Sequence, residues 1–355
     1  MTQRRYLILA PGVFADNAKT AHGVIAYGTD EIAAVLDPDH AGKRVRDVVP
    51  YLDSDAPIVG TIAEGLRLHP TSVLVGTAPK GGALPTSWRS DILAAIDAKL
   101  EIVSGLHEML GDDPELSAAA ERGGATIWDV RAVPGVPLFT GAVYDVKPPV
   151  LLAVGNDCAV GKMTVALELC RAAAARGQRA AFVPTGQTGV MIAGWGLSVD
   201  RVIADFATGA CERLVLQAAQ GDPDSIVVEG QGAINHPAYA PVTLSLLYGC
   251  APDALLLVCR QPHERIETFN TPVLGYRALI DVHEGLCATV KPAKVVGIAL
   301  NTRGLDDGAA LAEIERARSE TGLPADDIVR FGPHALYDAV FPNLRKHRPL
   351  LEVSR

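Results

Sequence analysis

The sequence predicts an α/β protein built as two successive doubly wound domains, and three observations predict it. The 355 residues exceed what one core usually organises, since domains run to roughly 100–200 residues. Short apolar runs alternate with helical stretches along the chain, the rhythm of parallel sheets covered on both faces. A glycine-rich turn, Gly155–Lys162, stands between an apolar strand and an Ala/Leu-rich helix, an order that points backbone N–H groups at an anion.

In the first half, strands are expected at Tyr6–Ala10, Ala33–Leu36, Ile58–Val59, Ser72–Val75, Ile102–Val103 and Thr126–Asp129, with amphipathic helices such as Ser90–Lys99 and Glu115–Gly123 between them. The stretch Val133–Val150 carries Pro134, Pro137, Pro148 and Pro149 and reads as a linker. It divides the chain into domains of residues 1–145 and 146–355. The second series expects strands at Val150–Val154, Arg179–Val183, Ser225–Val228, Ala254–Cys259, Lys294–Leu300 and Ile328–Arg330. Its helices are expected at Lys162–Arg176, Ser198–Ala218 and Gly308–Glu320.

A net charge of −9 argues against nucleic acid or an anionic membrane as partner. No apolar run reaches the roughly 18 residues of a membrane span, and MTQRRYLILAPG lacks the apolar region and cleavage site of a secretory signal. The six cysteines are scattered, without a Cys-x-x-Cys pair, so reduced thiols are expected rather than a zinc site. A cytoplasmic protein acting on a small molecule is the expectation, with a homo-oligomer left open.

The sharpest feature is Gly155-Asn156-Asp157-Cys158-Ala159-Val160-Gly161-Lys162-Met163-Thr164. After a strand and before a helix, it has the context of a phosphate-binding P-loop, with Lys162 reaching the distal phosphates. It departs from G-x-x-x-x-G-K-[ST] twice. The leading glycine is Gly155, with Asn156 in its usual place, and Met163 occupies the slot of the magnesium-binding hydroxyl, with Thr164 one residue later. Phosphate binding is therefore expected ahead of triphosphate hydrolysis.

In a doubly wound sheet, ligands sit at the carboxyl ends of the strands, and several polar groups fall there. Glu229, closing Ser225–Val228, reads as a magnesium ligand, a catalytic carboxylate or a loop brace. His236 reads as a general base or a structural loop histidine. Asp205 reads as a catalytic acid or as a helix-start residue. The Gly-rich segment at Gln187, Thr188 and Gly189 reads as a cradle for a substrate carboxylate or a flexible crossover, with Gln231 a further substrate contact. Asn301 reads as an amide meeting the cofactor, for instance a purine edge, or a turn former.

The series GNDCAVGKMT, TGQTGVMIAGWG, DRVIADFATGACE, EGQGAINHP and VVGIALNT, with KTAHGVIAYG, GTAPKGG, IVSGLHEMLGDDPEL and WDVR in the first half, resembles a bacterial and archaeal family first described as a domain of unknown function. That family includes D-glutamate N-acetyltransferase. The resemblance implies N-acylation of an amino-acid-like substrate with acetyl-CoA as donor, its phosphates on the P-loop. After Ala254–Cys259 this chain reads RQPHERIETFNTPVLGY, a departure from the His/Pro/Arg-rich stretch of acetyltransferase members, which leaves the acyl acceptor open.

The P-loop half is also similar to dethiobiotin synthetase. That likeness implies ATP with Mg²⁺ in a ligase or kinase, with Glu229 and Thr164 at the metal. A nucleotide-sensing regulatory protein is a further reading. The first half resembles a Rossmann-like nucleotide fold, although no G-x-G-x-x-G follows Tyr6–Ala10. Asp37 stands where a ribose-binding acid would, and Lys80-Gly81-Gly82 reads as a contact to a phosphate or to the partner domain, or as a surface loop.

Overall fold

A computed structural model describes residues 3–77, 79, 81–266 and 269–347; Lys80 lies outside the described residues. The chain divides into two compact units. One comprises residues up to Val133 together with Gln187–Ser198, the other Pro134–Gly186 and Val199 onward.

The first unit holds β1 (Arg5–Leu9), β2 (Glu31–Leu36), β3 (Ile58–Val59), β4 (Ser72–Val75), β5 (Glu101–Ser104) and β6 (Ile127–Asp129). They form a parallel sheet in the order β3-β2-β1-β4-β5-β6, the Rossmann order, with its switch point between β1 and β4. All six expected strands are present. The inner strands β1, β4 and β5 were legible because strands buried on both faces read as continuous apolar runs, whereas the edge strands β3 and β6 are only partly buried.

At the end of β2, the Asp37 carboxylate accepts the Gly12 N–H at 2.8 Å and holds His40 Nδ1 at 2.7 Å. The acid in the ribose position is thus engaged by the loop after β1 and by its own turn. Helix Gln187–Ala193 also belongs to this unit. Val190 and Met191 join the core of Tyr6, Ile8, Phe14 and Leu74.

The second unit holds β7 (Val150–Gly155), β8 (Ala180–Val183), β9 (Ser225–Val228), β10 (Ala254–Arg260), β11 (Lys294–Asn301) and β12 (Ala325–Asp326). Its parallel order is β12-β11-β10-β7-β9-β8. The central strand β7 is buried throughout and carries the glycine-rich loop between its neighbours β9 and β10.

Two expectations are corrected here. The last strand is Ala325–Asp326 rather than Ile328–Arg330, because Asp327 Oδ1 accepts the N–H groups of Val329 and Arg330 and turns the chain. The proline-rich segment read as a linker packs within the second unit. Buried Glu212 accepts Thr140 N at 2.7 Å and Val143 N at 3.2 Å. A Cβ on Gly209 would meet the Pro137 carbonyl oxygen at 2.1 Å, so only glycine lets this backbone cross the helix Ala204–Ala219.

Candidate active site

Gly155 to Lys162 form the floor of the site. The loop turns on Ala159, at φ 53°, and Gly161, at φ 112°. The second is a conformation that glycine adopts without a Cβ penalty, whereas the first is a strained position for alanine. Helix Lys162–Ala174 starts with no side-chain cap and no acid in its first turn, which leaves its N-terminal N–H groups and positive dipole end for an anion. Lys162 is buried at 6% exposure, and its Nζ donates to the Asp157 carbonyl at 2.8 Å. The ammonium is therefore folded across the loop that would hold a phosphate.

The flanking residues of the loop are braces. Asn156 is fully buried; its Nδ2 donates to the Arg260 carbonyl and its Oδ1 accepts the Arg260 N–H, both at 3.2 Å. Expected as a cofactor contact in the glycine's usual place, its amide instead locks β7 to β10. Asn301, at the end of β11, donates from Nδ2 to the Val160 carbonyl at 3.1 Å and accepts Arg303 N–H at 3.2 Å. Expected to meet the cofactor, this amide holds the loop through the Val160 carbonyl. Val160 itself is core. Met163 is buried at 8%, and Thr164 lies about 100° further round the helix, on a different face from the slot of a Walker hydroxyl.

Glu229 stands beside the loop. Its neighbour Gly230 approaches so closely that a Cβ there would sit 1.6 Å from the Ala153 carbonyl oxygen and 3.0 Å from Lys162 Cδ. Glu229 Oε2 accepts Thr185 N–H at 3.1 Å and Gly186 N–H at 3.2 Å, and the Thr185 hydroxyl donates to the Glu229 carbonyl at 2.8 Å. The Gln231 amide donates to the Thr185 carbonyl. Glu229 and Gln231 thereby fix the turn after β8.

The other expected substrate residues are part of a different environment. Gln187, Thr188 and Gly189 form the first turn of a helix rather than a glycine-rich loop. Arg131 donates to Gln187 Oε1 at 2.8 Å, and the Thr188 and Thr20 hydroxyls are 3.3 Å apart. Asp205 is exposed in the first turn of Ala204–Ala219, and among the described residues no hydrogen bond or ion pair joins it to the loop. An acid there complements the helix dipole.

Two histidines converge on Asp157, whose side chain is 2% exposed. His263, after β10, brings Nε2 to 2.6 Å from Asp157 Oδ2, while Asp157 Oδ1 accepts the Cys158 N–H at 2.6 Å. His236 has Nε2 3.9 Å from Asp157 Oδ1. Its Nδ1 accepts the N–H groups of Ala238 at 3.1 Å and Tyr239 at 3.2 Å.

Backbone amides can only donate, so the neutral His236 ring carries its proton on Nε2. His236 therefore offers a donor toward Asp157 and Cys158, not the lone pair of the general base expected from sequence. The same tautomer bears on metal binding. Asp157, Cys158 and His236 bring one ligand atom each within 4.8 Å of one another, but a metal would need the Nε2 lone pair that the backbone donors deny it.

Two aromatic rings wall this corner. Tyr239 lies over His236 at 4.6 Å between centroids, and Phe269 meets it edge-on at 5.3 Å. Both rings are partly exposed. The Asn235 amide is buried and meets no hydrogen-bond partner among the described residues. His263 was not singled out in the sequence; the signal was its place in RQPHERIETFNTPVLGY, directly after the apolar strand Ala254–Cys259. Glu267 and Thr268 of that segment lie outside the described residues.

Known proteins resemble this chain over most of its length. A protein from Tritonibacter scottomollicae named D-glutamate N-acetyltransferase is 38% identical over 311 residues, covering 85% of this chain and 90% of the relative. One of the same name from a Pseudoalteromonas species is 34% identical, covering 90% and 97%. The crystal structure of a DUF1611 family protein from Anabaena variabilis superposes with a TM-score of 0.91 at 36% identity, covering 96% of this chain and 100% of that one. The family models for the domain of unknown function DUF1611 match residues 38–133 as its Rossmann-like domain and 137–337 as its P-loop domain. The chain belongs to the DUF1611 family.

Proposed function

We propose that this protein is an N-acetyltransferase that moves the acetyl group of acetyl-CoA onto the amine of a small amino acid, D-glutamate being the first candidate. The observation that carries the reading is the pair of relatives named D-glutamate N-acetyltransferase, aligned over most of both chains. The geometry supports it. The Gly155–Lys162 loop offers helix N–H groups and a cation to the phosphates of the coenzyme, a task that needs no hydroxyl at Met163. The half-exposed rings of Tyr239 and Phe269 give an apolar wall suited to an acylated pantetheine arm.

A neutral donor at His236 Nε2 suits the carbonyl oxygen of a thioester, where negative charge develops during acyl transfer. The second reading, an ATP- and Mg²⁺-dependent ligase or kinase, draws on Glu229 beside the loop, but that carboxylate already holds the Thr185–Gly186 turn.

The test is direct. Purified protein is mixed with acetyl-CoA and a panel of D- and L-amino acids, while thiol release and N-acetyl products are followed. Release of CoA matched by an N-acetyl amino acid supports the reading. Turnover only with Mg²⁺-ATP overturns it.

A further inference from the structure

We infer that His263 is the general base that takes the proton from the acceptor amine, with Asp157 as its positioning residue; this rests on the acetyltransferase reading. Acyl transfer to an amino acid needs such a group. The amine nitrogen attacks the thioester carbonyl, the N–C bond forms and the C–S bond breaks. Coenzyme A leaves as a thiolate that takes up a proton, and the nitrogen must lose one to become an amide. A base within hydrogen-bond reach of that nitrogen is required, and histidine is the residue most often used.

Of the two histidines at this corner, one is excluded by its hydrogen bonds and the other is prepared by them. His236 has its Nδ1 lone pair taken by two backbone N–H groups, so its free nitrogen carries a proton. His263 is arranged oppositely. Its Nε2 lies 2.6 Å from Asp157 Oδ2, and an ionised carboxylate accepts the ring N–H, which fixes the proton on Nε2 and leaves the lone pair on Nδ1. Among the described residues no protein group bonds to that Nδ1.

Asp157 is itself held, because its Oδ1 accepts the Cys158 N–H at 2.6 Å, so the ring's orientation derives from the phosphate loop. This is the arrangement of an acid orienting a histidine that faces a reacting proton. The titratable and charged groups around the carboxylate are His263 after β10, His236 after β9, and Cys158 and Lys162 in the loop, with the Lys162 ammonium on the Asp157 carbonyl.

The experiment compares wild type with His263→Gln in the full-length protein. Glutamine can still donate to Asp157 but cannot take a proton. Acetyl-CoA affinity, read by calorimetry, is expected to stay within a few fold. The kcat for N-acetylation at neutral pH is expected to fall about 10²–10⁴-fold. That defect is expected to shrink at alkaline pH, where solvent deprotonates the amine.

A variant within about threefold of wild type at neutral pH, or a loss that is the same at every pH, overturns the inference while leaving the acetyltransferase reading intact. A wild-type protein that releases no CoA with any amino acid overturns that reading, and the inference with it.

Discussion

Lys162 Nζ donates to the backbone carbonyl of Asp157 at 2.8 Å, so the cation of the phosphate loop is held by the residue whose carboxylate holds His263. Through Asp157, phosphate binding and the proposed chemistry share one short stretch of backbone. A coenzyme phosphate that drew Nζ away would change only the carbonyl side of Asp157 and leave the carboxylate on the ring. The predictions below separate these contributions.

Replacing Lys162 removes the cation without removing the loop. Lys162→Ala is expected to weaken coenzyme binding by about 1.5–3 kcal/mol, or roughly 10- to 150-fold in Kd, the range for hydrogen bonds to charged groups. Because the lysine stem packs against Gly230, Lys162→Met keeps the packing and should show the same loss with an unchanged melting temperature. Calorimetric titration with CoA reads both variants, and undiminished affinity would remove the loop from the cofactor site.

Chelation tests the role given to Met163. An acetyltransferase that grips CoA through backbone N–H groups and Lys162 is expected to keep its full rate in EDTA. Turnover that disappears with EDTA and returns with Mg²⁺ would instead support the ATP-dependent reading.

Glu229→Gln is expected to affect the fold as well as the rate. Its buried carboxylate accepts two backbone N–H groups through one oxygen, Oε2; a glutamine keeps an oxygen there but gives up the charge that strengthens both bonds. A loss of about 1–3 kcal/mol in urea unfolding is expected, together with lower turnover. Unchanged stability would show that the turn after β8 does not depend on this acid.

Gly230→Ala places a methyl group 1.6 Å from the Ala153 carbonyl oxygen, closer than any backbone can accept. Either β7 or β9 must shift, at a cost of at least about 1–3 kcal/mol, and Lys162 moves with them. A lowered melting temperature together with weaker CoA binding is the expected pair of results; a variant as stable as wild type would contradict the close approach.

Stability is expected to depend on His283. The ring is fully buried; its Nδ1 sits 2.7 Å from the Leu279 carbonyl, and its Nε2 has no partner among the described residues. Burial, with a smaller contribution from the Lys162 charge, pushes its pKa below the ordinary 6.5. In the unfolded chain the ring takes up a proton as the pH falls below 6.5, while the folded protein resists. The unfolded state then binds more protons, so stability is full above that pH and declines as the pH drops toward the folded value. Urea midpoints measured between about pH 7.5 and pH 5 should fall for wild type and fall less for His283→Gln.

How much of this was written locally in the chain differs from element to element. The inner strands, such as β4, β7, β9 and β10, were legible because a strand buried on both faces reads as a continuous apolar run. The half-buried edge strands β3, β6 and β8 were legible as short β-branched, aromatic or apolar segments between helical stretches. The phosphate loop was legible because a strand, glycines, a lysine and a helix in succession make an anion nest from backbone geometry within a dozen or so residues. The family, too, was legible in those short segments. Only the tertiary structure decided what the side chains do.

Asp157 and His263 are 106 residues apart in the chain, and their pairing exists because β7 and β10 are neighbours in the sheet. The Gln187 segment carries glycines that suggest a loop. It is a helix because Val190 and Met191 are buried in the first unit's core. His236 looked like a base by residue type, but two backbone N–H groups at its Nδ1 chose the tautomer that makes it a donor. Backbone conformation follows from nearby residues, whereas the state of a titratable side chain is set by whichever groups the fold brings against it.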